Sequence, residues 1–333
     1  MIEVPVGIDP ERLVPWLTER IDRLRAPLTF DLVAGGHSCL TYVVTAADGH
    51  RVVLRRPPLG HVLATAHDVV REHRIIHALR DTNVPVPETL AVCEDDAVNG
   101  APFFVMAHVD GRVMHEATDV DDIAPTPHAR RRVTDSLVDA LVALHAVDPD
   151  EVGLGDLSRR EGYLERQLKR WARQWVSSKT RDLPDMERLH VWLVEHQPAE
   201  VDARIVHGDF RLGNLLVMPD ATVGAVLDWE LCTLGQPMAD LAYLLRSWVG
   251  PDESAGPHLV PPTAAGGFPD RDAVVARYRQ ATGRDVEHLE YWMAFNAWRS
   301  AAIAEGVLRR YLDGNMGERP DDLQGFVRSV EQS

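Results

Sequence analysis

A short polar segment between two apolar runs carries the side chains in this sequence that are best suited to chemistry. Residues 205–217 read IVHGDFRLGNLLV, and the next apolar run, VGAVLDW, brings a second carboxylate at Asp228. Asp209 can accept the proton of an attacking hydroxyl group, whereas Asn214 and Asp228 offer oxygen ligands of the kind that Mg²⁺ prefers. His207 is predicted to order the loop by hydrogen bonding and to take no part in the chemistry.

The spacing within this segment narrows the chemistry further. Asp209 and Asn214 are 214 − 209 = 5 positions apart, which matches the H-x-D-x-x-x-x-N loop of kinase-type phosphoryl transfer. A single Asp or Asn at such a place is more often a turn or cap residue. The ordered set, with its members at the ends of predicted strands, favours a functional site over turn chemistry.

The segments HGDFRLGN and VLDWE resemble the aminoglycoside phosphotransferase/choline kinase family. The longer stretches LDWELCTLGQPMADLAYLL and GYLERQLKRWARQW are similar to the kinase domain linked to animal acyl-CoA dehydrogenases and to its bacterial stand-alone relatives. The resemblance implies that Asp209 is the catalytic base and that Asn214 and Asp228 bind Mg²⁺. It also implies that Asp240 is buried and braces the catalytic loop, that ATP is the phosphoryl donor, and that a small-molecule hydroxyl group is the acceptor.

The family implies an α+β, bilobal, protein-kinase-like fold, and the local patterns agree with it. An N-lobe over 1–107, with a small antiparallel sheet and one helix, is expected to bind the nucleotide. A mainly helical C-lobe over 108–333 is expected to carry the catalytic loop and the acceptor-binding region. Strands are predicted within 28–56 and 88–109. Helices are predicted over 10–24, 65–80, 127–146, 161–176, 186–196, 236–249, 271–282 and 287–312.

The N-lobe must supply a cation for the nucleotide phosphates. Protein kinases use a lysine there, but this chain has no lysine before Lys169, so an arginine of the RVVLRR strand is expected in its place. Strand alternation from Val53 and the resemblance both select Arg55. Glu72 falls on the apolar face of the helix over 65–80, where a carboxylate needs a partner. An Arg55–Glu72 pair is therefore predicted, with the guanidinium directed at the phosphates.

Two further segments are expected to contact the nucleotide through their backbone. AGGHSCLTYVV, residues 34–44, lies where the family has its glycine-rich loop, and Gly36 and Ser38 are expected to approach the phosphates. PFFVMAHVDG matches the hinge between the lobes. Met106 would lie behind the adenine, and the Ala107 carbonyl and the Val109 N–H would bond its edge. Because these are backbone contacts, GTP could replace ATP.

Composition excludes several other classes of protein. A net charge of −16 over 333 residues disfavours nucleic acid and anionic membranes as partners. The three cysteines form no CxxC pair, which argues against a disulfide framework or a zinc site. The N-terminal residues resemble no signal peptide, and no apolar run reaches the length of about 18 residues that a membrane span needs. A cytoplasmic protein is predicted.

Basic residues in the C-lobe are the candidates for binding the acceptor. Arg166 and Arg170 lie on one face of the helix over 161–176, and Arg299 lies in the last helix. These three are predicted to bind the acceptor, and the resemblance implies an anionic acceptor such as a hydroxyacyl-CoA. The loop 250–269 is expected to close over it. Two alternatives stay open, an aminoglycoside O-phosphotransferase and a catalytically silent nucleotide-binding module that regulates a partner.

Overall fold

The computed structural model of the protein describes residues 5–33, 39–59, 68–250, 253 and 260–313. Within these residues the chain forms two compact units. The first unit lies within Met1–Gly111 and also includes Gly224–Leu231, and the second comprises Arg112–Val223 and Cys232–Ser333.

The first unit is built on a five-stranded antiparallel sheet with the strand order β1-β2-β3-β5-β4. Its strands are rich in β-branched and aromatic residues, and the turn between β2 and β3 contains Asp48-Gly49, a pair typical of hairpin turns. In the register of β3 and β5, Val53 lies opposite Met106. The strands are β1 (Leu28–Leu32), β2 (Leu40–Ala46), β3 (Arg51–Arg56), β4 (Thr89–Cys93) and β5 (Phe103–Ala107).

Three helices accompany this sheet. They are α1 (Pro10–Arg20), α2 (Val69–Leu79) and the four-residue α3 (Asp96–Asn99). Asp68 caps α2, because its side chain accepts a hydrogen bond from the Arg71 N–H. The predicted apolar face of α2 is buried, and Glu72 is buried with it. The core of this unit includes Leu13, Leu17, Tyr42, Leu54 and Phe103.

The second unit is mainly helical. Its longest helices are α5 and α10, and the prediction of a helix over 127–146 is confirmed by α5, with Pro127 in its first turn and Thr126 as its cap. The helices are α4 (Val120–Ile123), α5 (Pro127–Ala146), α6 (Tyr163–Ser178), α7 (Pro184–Glu195), α8 (Pro237–Arg246), α9 (Arg271–Thr282) and α10 (Leu289–Leu312).

Aromatic side chains form the packing of α6 against α10. Trp171, Trp175, Phe295 and Trp298 are buried in one apolar cluster. Gly306 of α10 lies so close to α6 that a Cβ atom there would come within 3.0 Å of the Gln174 side chain. The small residue therefore permits the two helices to approach each other.

Short strands flank the polar segment from His207 to Asn214. β6 (Arg204–Val206) precedes it and β7 (Leu215–Val217) follows it, as predicted. β8 (Val223–Val226) comes next, and β9 (Thr233–Gly235), which was not predicted, pairs antiparallel with β6. The polar segment is thus held at both ends by strands.

The structure places Gly224–Leu231 with the first unit, whereas the sequence analysis placed these residues in the second lobe. Three contacts explain the difference. The Val226 N–H donates to the Pro85 carbonyl at 2.8 Å, Asp228 is paired with Arg55 at 2.7 Å, and the Trp229 N–H donates to Glu72 at 3.4 Å.

Candidate active site

The catalytic loop after β6 is braced from below by Asp240 of α8. This buried carboxylate accepts hydrogen bonds from the backbone N–H groups of His207, at 2.6 Å, and Gly208, at 2.8 Å. Gly208 has a φ of 84°, a conformation that side-chain-bearing residues adopt only with strain. The expected bracing role of Asp240 is confirmed.

A second layer holds Asp240 itself. The Nε2 atom of His145 lies 3.4 Å from the Asp240 carboxylate, and its Nδ1 atom lies 2.7 Å from the Tyr278 hydroxyl. Burial lowers the pKa of His145, although Asp240 opposes this, so the ring is neutral near pH 7. A neutral ring that donates to Asp240 and accepts from Tyr278 satisfies every one of these contacts.

His207 is fully buried, and its Nδ1 atom accepts a hydrogen bond from the Asp209 N–H at 3.2 Å. This contact closes the turn around Gly208. The structure therefore gives His207 the loop-ordering contact that the sequence predicted.

The Asp209 carboxylate is held by its neighbours in the second unit. The Asn214 Nδ2 atom donates both to the Asp209 carbonyl and to its Oδ2, each at 2.8 Å. The Tyr243 hydroxyl donates to the same carboxylate, and Arg211 Nε lies 3.5 Å from Oδ1. Burial, followed by the nearby Asp209, raises the pKa of Tyr243, so this phenol stays protonated as a donor. The carboxylate is thus oriented from several sides.

The first unit carries a second group of charged residues. Arg55 Nε donates to Glu72 Oε2 at 2.8 Å, so the predicted Arg55–Glu72 ion pair is present. Burial raises the pKa of Glu72 and Arg55 opposes this. Arg55 also donates to the Thr41 hydroxyl at 3.3 Å. The pair holds Arg55 in one position within an otherwise apolar region.

Asp228 lies against the same arginine. Its Oδ1 atom accepts from Arg55 Nη2 at 2.7 Å, and its backbone has a φ of 64°. A positive φ is uncommon in residues other than glycine and is often found at functional positions. Burial alone would lower the pKa of Arg55, but Glu72 and Asp228 outweigh it and raise that pKa.

The neighbouring arginine, Arg56, points to the other face of β3. Its side chain is buried and donates to the carbonyl groups of Gly7 and Asn99, the latter at 2.8 Å. Burial lowers the pKa of Arg56. Arg56 thus belongs to the interior of the first unit, whereas Arg55 lies with Glu72 and Asp228.

The remaining nucleotide-binding candidates are placed as follows. Gly36 and Ser38 lie outside the described residues. Met106 is buried in β5, Ala107 ends that strand, and Val109 follows it; the Val109 carbonyl accepts from the Gly111 N–H at 2.9 Å. Their roles toward a nucleotide stay predictions.

Cys39 comes directly after the undescribed part of the glycine-rich segment. Its thiol is buried near the charged group of the first unit, and burial raises its pKa to about 12. All three cysteines are buried and free. A thiol with such a pKa is inert at neutral pH.

The three acceptor-binding candidates lie in different environments. Arg166 donates to the carbonyl groups of Glu161 and Arg159. Arg170 lies over the Trp171 ring at 5.1 Å, and the buried Arg299 lies over the same ring at 5.3 Å. Arg299 Nη2 also donates to the Gly208 carbonyl at 3.0 Å, which places this arginine beside the catalytic loop.

Sequence reasoning missed two residues of this region, Tyr243 and Arg246. Both follow Asp240 on α8 at successive three-residue steps, and they therefore lie along one side of that helix. The spacing was visible in DLAYLLR, but nothing in the sequence indicated that this side of α8 meets the catalytic loop.

The oxygen donors present suit Mg²⁺. In the second unit, the Asn214 amide nitrogen donates twice, so its oxygen is the atom left for a cation. In the first unit, Asp228 offers a carboxylate, and the joint binding of Mg²⁺ by these two residues stays a prediction. Among the described residues, no group of three or more His, Cys, Asp or Glu side chains could hold a metal by itself. Sparse protein ligation is typical of Mg²⁺ that is bound together with nucleotide phosphates.

The fold and the loop geometry together define a class of protein. The chain belongs to the phosphotransferase enzyme family, whose model matches residues 29–320. The α+β, protein-kinase-like fold is thereby confirmed. In the part of the chain that the structure describes, no helix has the length and apolar character needed to cross a bilayer.

Particular relatives sharpen this assignment. Mouse acyl-CoA dehydrogenase family member 10 is 36% identical over 291 residues, which is 84% of this chain and 26% of that protein. Chicken acyl-CoA dehydrogenase family member 11 is 35% identical over 277 residues, 80% of this chain and 35% of that protein. This chain therefore spans about a third or less of the length of these relatives.

A solved structure is also similar. A crystal structure from Ralstonia eutropha, which carries aminoglycoside phosphotransferase as a provisional name, is 34% identical to this chain. It has a TM-score of 0.81 and covers 97% of this chain and 95% of its own. The similarity therefore extends over nearly the whole chain.

Proposed function

We propose that this protein is an ATP- and Mg²⁺-dependent kinase that phosphorylates a hydroxyl group of a small molecule. The observation that carries the proposal is the support around Asp209. Asn214 and Tyr243 hold its carboxylate, and Asp240 and His207 fix the loop that presents it. A carboxylate oriented in this way is suited to accept a proton from an attacking hydroxyl group.

The roles of the protein groups follow from their chemistry. Asp209 aligns the acceptor hydroxyl and takes its proton as the oxygen attacks the terminal phosphate of ATP. Arg55, positioned by Glu72, offers N–H donors and a permanent positive charge to the nucleotide phosphates. Asn214 and Asp228 would hold Mg²⁺. When bound, the ion neutralises charge on the phosphate oxygens.

The backbone of Gly36, Ser38, Ala107 and Val109, with Met106 behind the base, completes the proposed nucleotide site. The division into a nucleotide-binding N-lobe over 1–107 and a C-lobe over 108–333 belongs to this proposal. Because the proposed base contacts involve backbone groups only, GTP is an acceptable second donor.

For the acceptor, we propose a hydroxyl compound that also bears negative charge, with a hydroxyacyl-CoA as the specific candidate. The names of the acyl-CoA dehydrogenase relatives support an acyl-CoA, and the arginines Arg166, Arg170 and Arg299 support an anion. An aminoglycoside is the alternative, because the Ralstonia structure carries that name. A polycation would need carboxylates around it, and arginines are unsuited to that role.

A silent nucleotide-binding module is the remaining alternative, and the missing lysine favours it. An Asp209→Asn variant separates the two readings. Asparagine keeps the shape but cannot take up the proton, so we expect phosphoryl transfer to fall by at least about a hundredfold, with MgATP affinity unchanged. Transfer is measured with labelled ATP on a panel of alcohols, and affinity by calorimetry.

The matched control is Asp202→Asn, which makes the same chemical change at an exposed position of the segment before β6. It should leave both quantities unchanged. A wild-type protein that binds MgATP but phosphorylates no member of a panel of anionic, neutral and aminoglycoside alcohols would support the silent module. An active Asp209→Asn variant would contradict the role given to Asp209.

A further inference from the structure

Three arginines of the second unit converge beside the catalytic loop. Arg299 of α10 donates to the Gly208 carbonyl, one residue before Asp209. Its guanidinium lies 5.5 Å from the centre of the Tyr243 ring, and Tyr243 in turn bonds Asp209. Arg170 of α6 shares the Trp171 ring with Arg299. Arg246 of α8 lies one helical turn beyond Tyr243.

These positive charges have little to balance them. Among the described residues, no carboxylate is paired with Arg170, Arg246 or Arg299, although most other arginines of this acidic chain have such a partner. The buried Nε of Arg299 has no hydrogen-bond partner within the described part of the chain. Unpaired buried donors and charges are rare in folded proteins, which makes this cluster unusual.

The three charges also act on one another. Burial lowers the pKa of Arg170, and the charge of Arg299 lowers it further. Burial likewise lowers the pKa of Arg246, with Tyr243 opposing and Arg299 adding to the effect. No carboxylate contributes to either shift. Bringing such groups together is unfavourable unless an anion joins them.

The three arginines differ in exposure. Arg170 is exposed overall although its guanidinium packs over the Trp171 ring, Arg246 is half-buried, and Arg299 retains only 7% of its accessible surface. The Trp171 ring packs against the guanidinium groups of Arg170 and Arg299, and the Tyr243 ring packs against that of Arg299. An anion entering past Arg170 would therefore meet its most buried donor next to the catalytic loop.

We propose that Arg170, Arg246 and Arg299 form the binding site for an oxyanion, a carboxylate or phosphate group, of the phosphoryl acceptor. The proposal rests on the proposed kinase function and deepens it, because it adds Arg246 and fixes where the anion lies. Since Arg299 bonds the residue before Asp209, the acceptor's anionic group lies close to the hydroxyl that is phosphorylated. Guanidinium groups match both oxyanions, since they donate two parallel hydrogen bonds.

A binding experiment tests the site without turnover. Inorganic pyrophosphate is titrated calorimetrically into the protein, first alone and then with saturating Mg²⁺ and a non-hydrolysable ATP analogue that fills the nucleotide site. We expect binding in both titrations, with the dissociation constant raised at least about tenfold in Arg246→Gln and in Arg170→Gln. Arg299→Gln should abolish binding. Because Arg299 is buried, this variant could fail to fold, and in that case the Arg246→Gln and Arg170→Gln variants decide the result.

Arg173→Gln is the matched control. Arg173 lies on α6, is exposed, and donates to the Lys169 carbonyl at 3.2 Å. The Arg173→Gln substitution removes a positive charge from the same helix as Arg170→Gln does, and it should leave pyrophosphate binding unchanged. Pyrophosphate binding that is equal in wild type and Arg246→Gln, or lowered equally by Arg173→Gln, would overturn the site.

An activity experiment distinguishes the possible sources of the anion. Phosphorylation is compared for lactate and its neutral amide, for glycerol phosphate and glycerol, and for a hydroxyacyl-CoA and the corresponding free hydroxy acid. In each of the first two pairs, we expect the protein to phosphorylate the anionic compound faster than the neutral one. In the third pair, the faster compound shows whether the bound anion is a carboxylate near the hydroxyl or a phosphate of CoA. For the preferred acceptor, Arg246→Gln should raise KM at least about tenfold and leave the KM of ATP unchanged.

An equal rise in the KM of ATP would mean that the cluster binds the nucleotide, and it would overturn the acceptor site. The proposed function is judged separately, by MgATP binding and by the effect of Asp209→Asn. A kinase that prefers neutral alcohols would keep the function and refute this inference.

Discussion

At the scale of single residues, Tyr243 shows how a helix side chain can support the carboxylate proposed as the catalytic base. Its hydroxyl donates to Asp209, and the Arg299 guanidinium lies 5.5 Å from the centre of its ring. Because Asp209 also accepts from Asn214, losing one donor leaves the carboxylate bound but less well oriented. Tyr243 is therefore a positioning residue in the proposed mechanism.

Removing only this hydroxyl gives the first prediction. In Tyr243→Phe, we expect kcat to fall about tenfold or more, because a hydrogen bond to a charged group contributes roughly 1.5–3 kcal/mol. The KM of ATP should not change. Steady-state kinetics with the best acceptor measure both quantities.

Tyr291→Phe is the comparison variant, since it deletes a hydroxyl that bonds the Leu193 carbonyl at 2.7 Å. It should lower stability and leave kcat as it is. A Tyr243→Phe enzyme with unchanged kcat would show that Asn214 alone orients Asp209.

At the scale of elements, the catalytic loop depends on α5 and α8 through His145 and Asp240. His145 is buried and neutral, because burial lowers its pKa below the ordinary value of about 6.5. Below about pH 6.5, His145 therefore takes up a proton in the unfolded chain but stays neutral in the folded chain. Stability is then lost as the pH falls, by at most about 1.4 kcal/mol per pH unit for this residue.

The second prediction follows from that sign. The free energy of unfolding should decrease from about pH 7 to about pH 5, and His145→Gln should make the decrease shallower, because glutamine does not titrate. Part of the slope should remain, because burial also lowers the pKa of His73, His108 and His190. Urea unfolding at a series of pH values measures this dependence.

The exposed His128 lies on the same helix, so His128→Gln is the control and should keep the wild-type slope. An equal slope in His145→Gln and wild type would mean that His145 is protonated in the folded state. The 3.4 Å contact with Asp240 would then be an ion pair.

Much of this element-scale arrangement could be predicted from the sequence. Pro127 at the start of α5 and the periodic apolar residues of α2 determined those helices, and the alternation in β3 identified Arg55 in place of Arg56. The three-residue strand β9 could not be predicted, because so short a strand has no measurable periodicity. The assignment of Gly224–Leu231 to the first unit depends on contacts with Pro85, Arg55 and Glu72, which are distant in sequence.

The same reasoning explains which site residues were found. Asp209, Asn214 and Asp228 lie in short segments with a specific order of residue types, and such order is readable in a single chain. Tyr243 and Arg246 sit in a helix whose pattern predicts only its apolar side. Their proximity to the loop is a consequence of tertiary packing, which no local pattern encodes.

At the scale of the whole molecule, ligand binding should be visible as stabilisation, since a ligand that binds only the folded chain raises the free energy of unfolding. We expect MgATP at about a hundred times its dissociation constant to add about 2.7 kcal/mol and to raise Tm by a few degrees. EDTA should remove most of the shift, because in the proposed site Asn214 and Asp228 would reach the phosphates only through the metal. Arg55→Gln should reduce the shift further than Arg51→Gln, an exposed change on the same strand.

Thermal denaturation with and without MgATP measures these shifts. No shift at millimolar MgATP would contradict the kinase assignment, and an equal shift in Arg55→Gln and wild type would remove Arg55 from the nucleotide site.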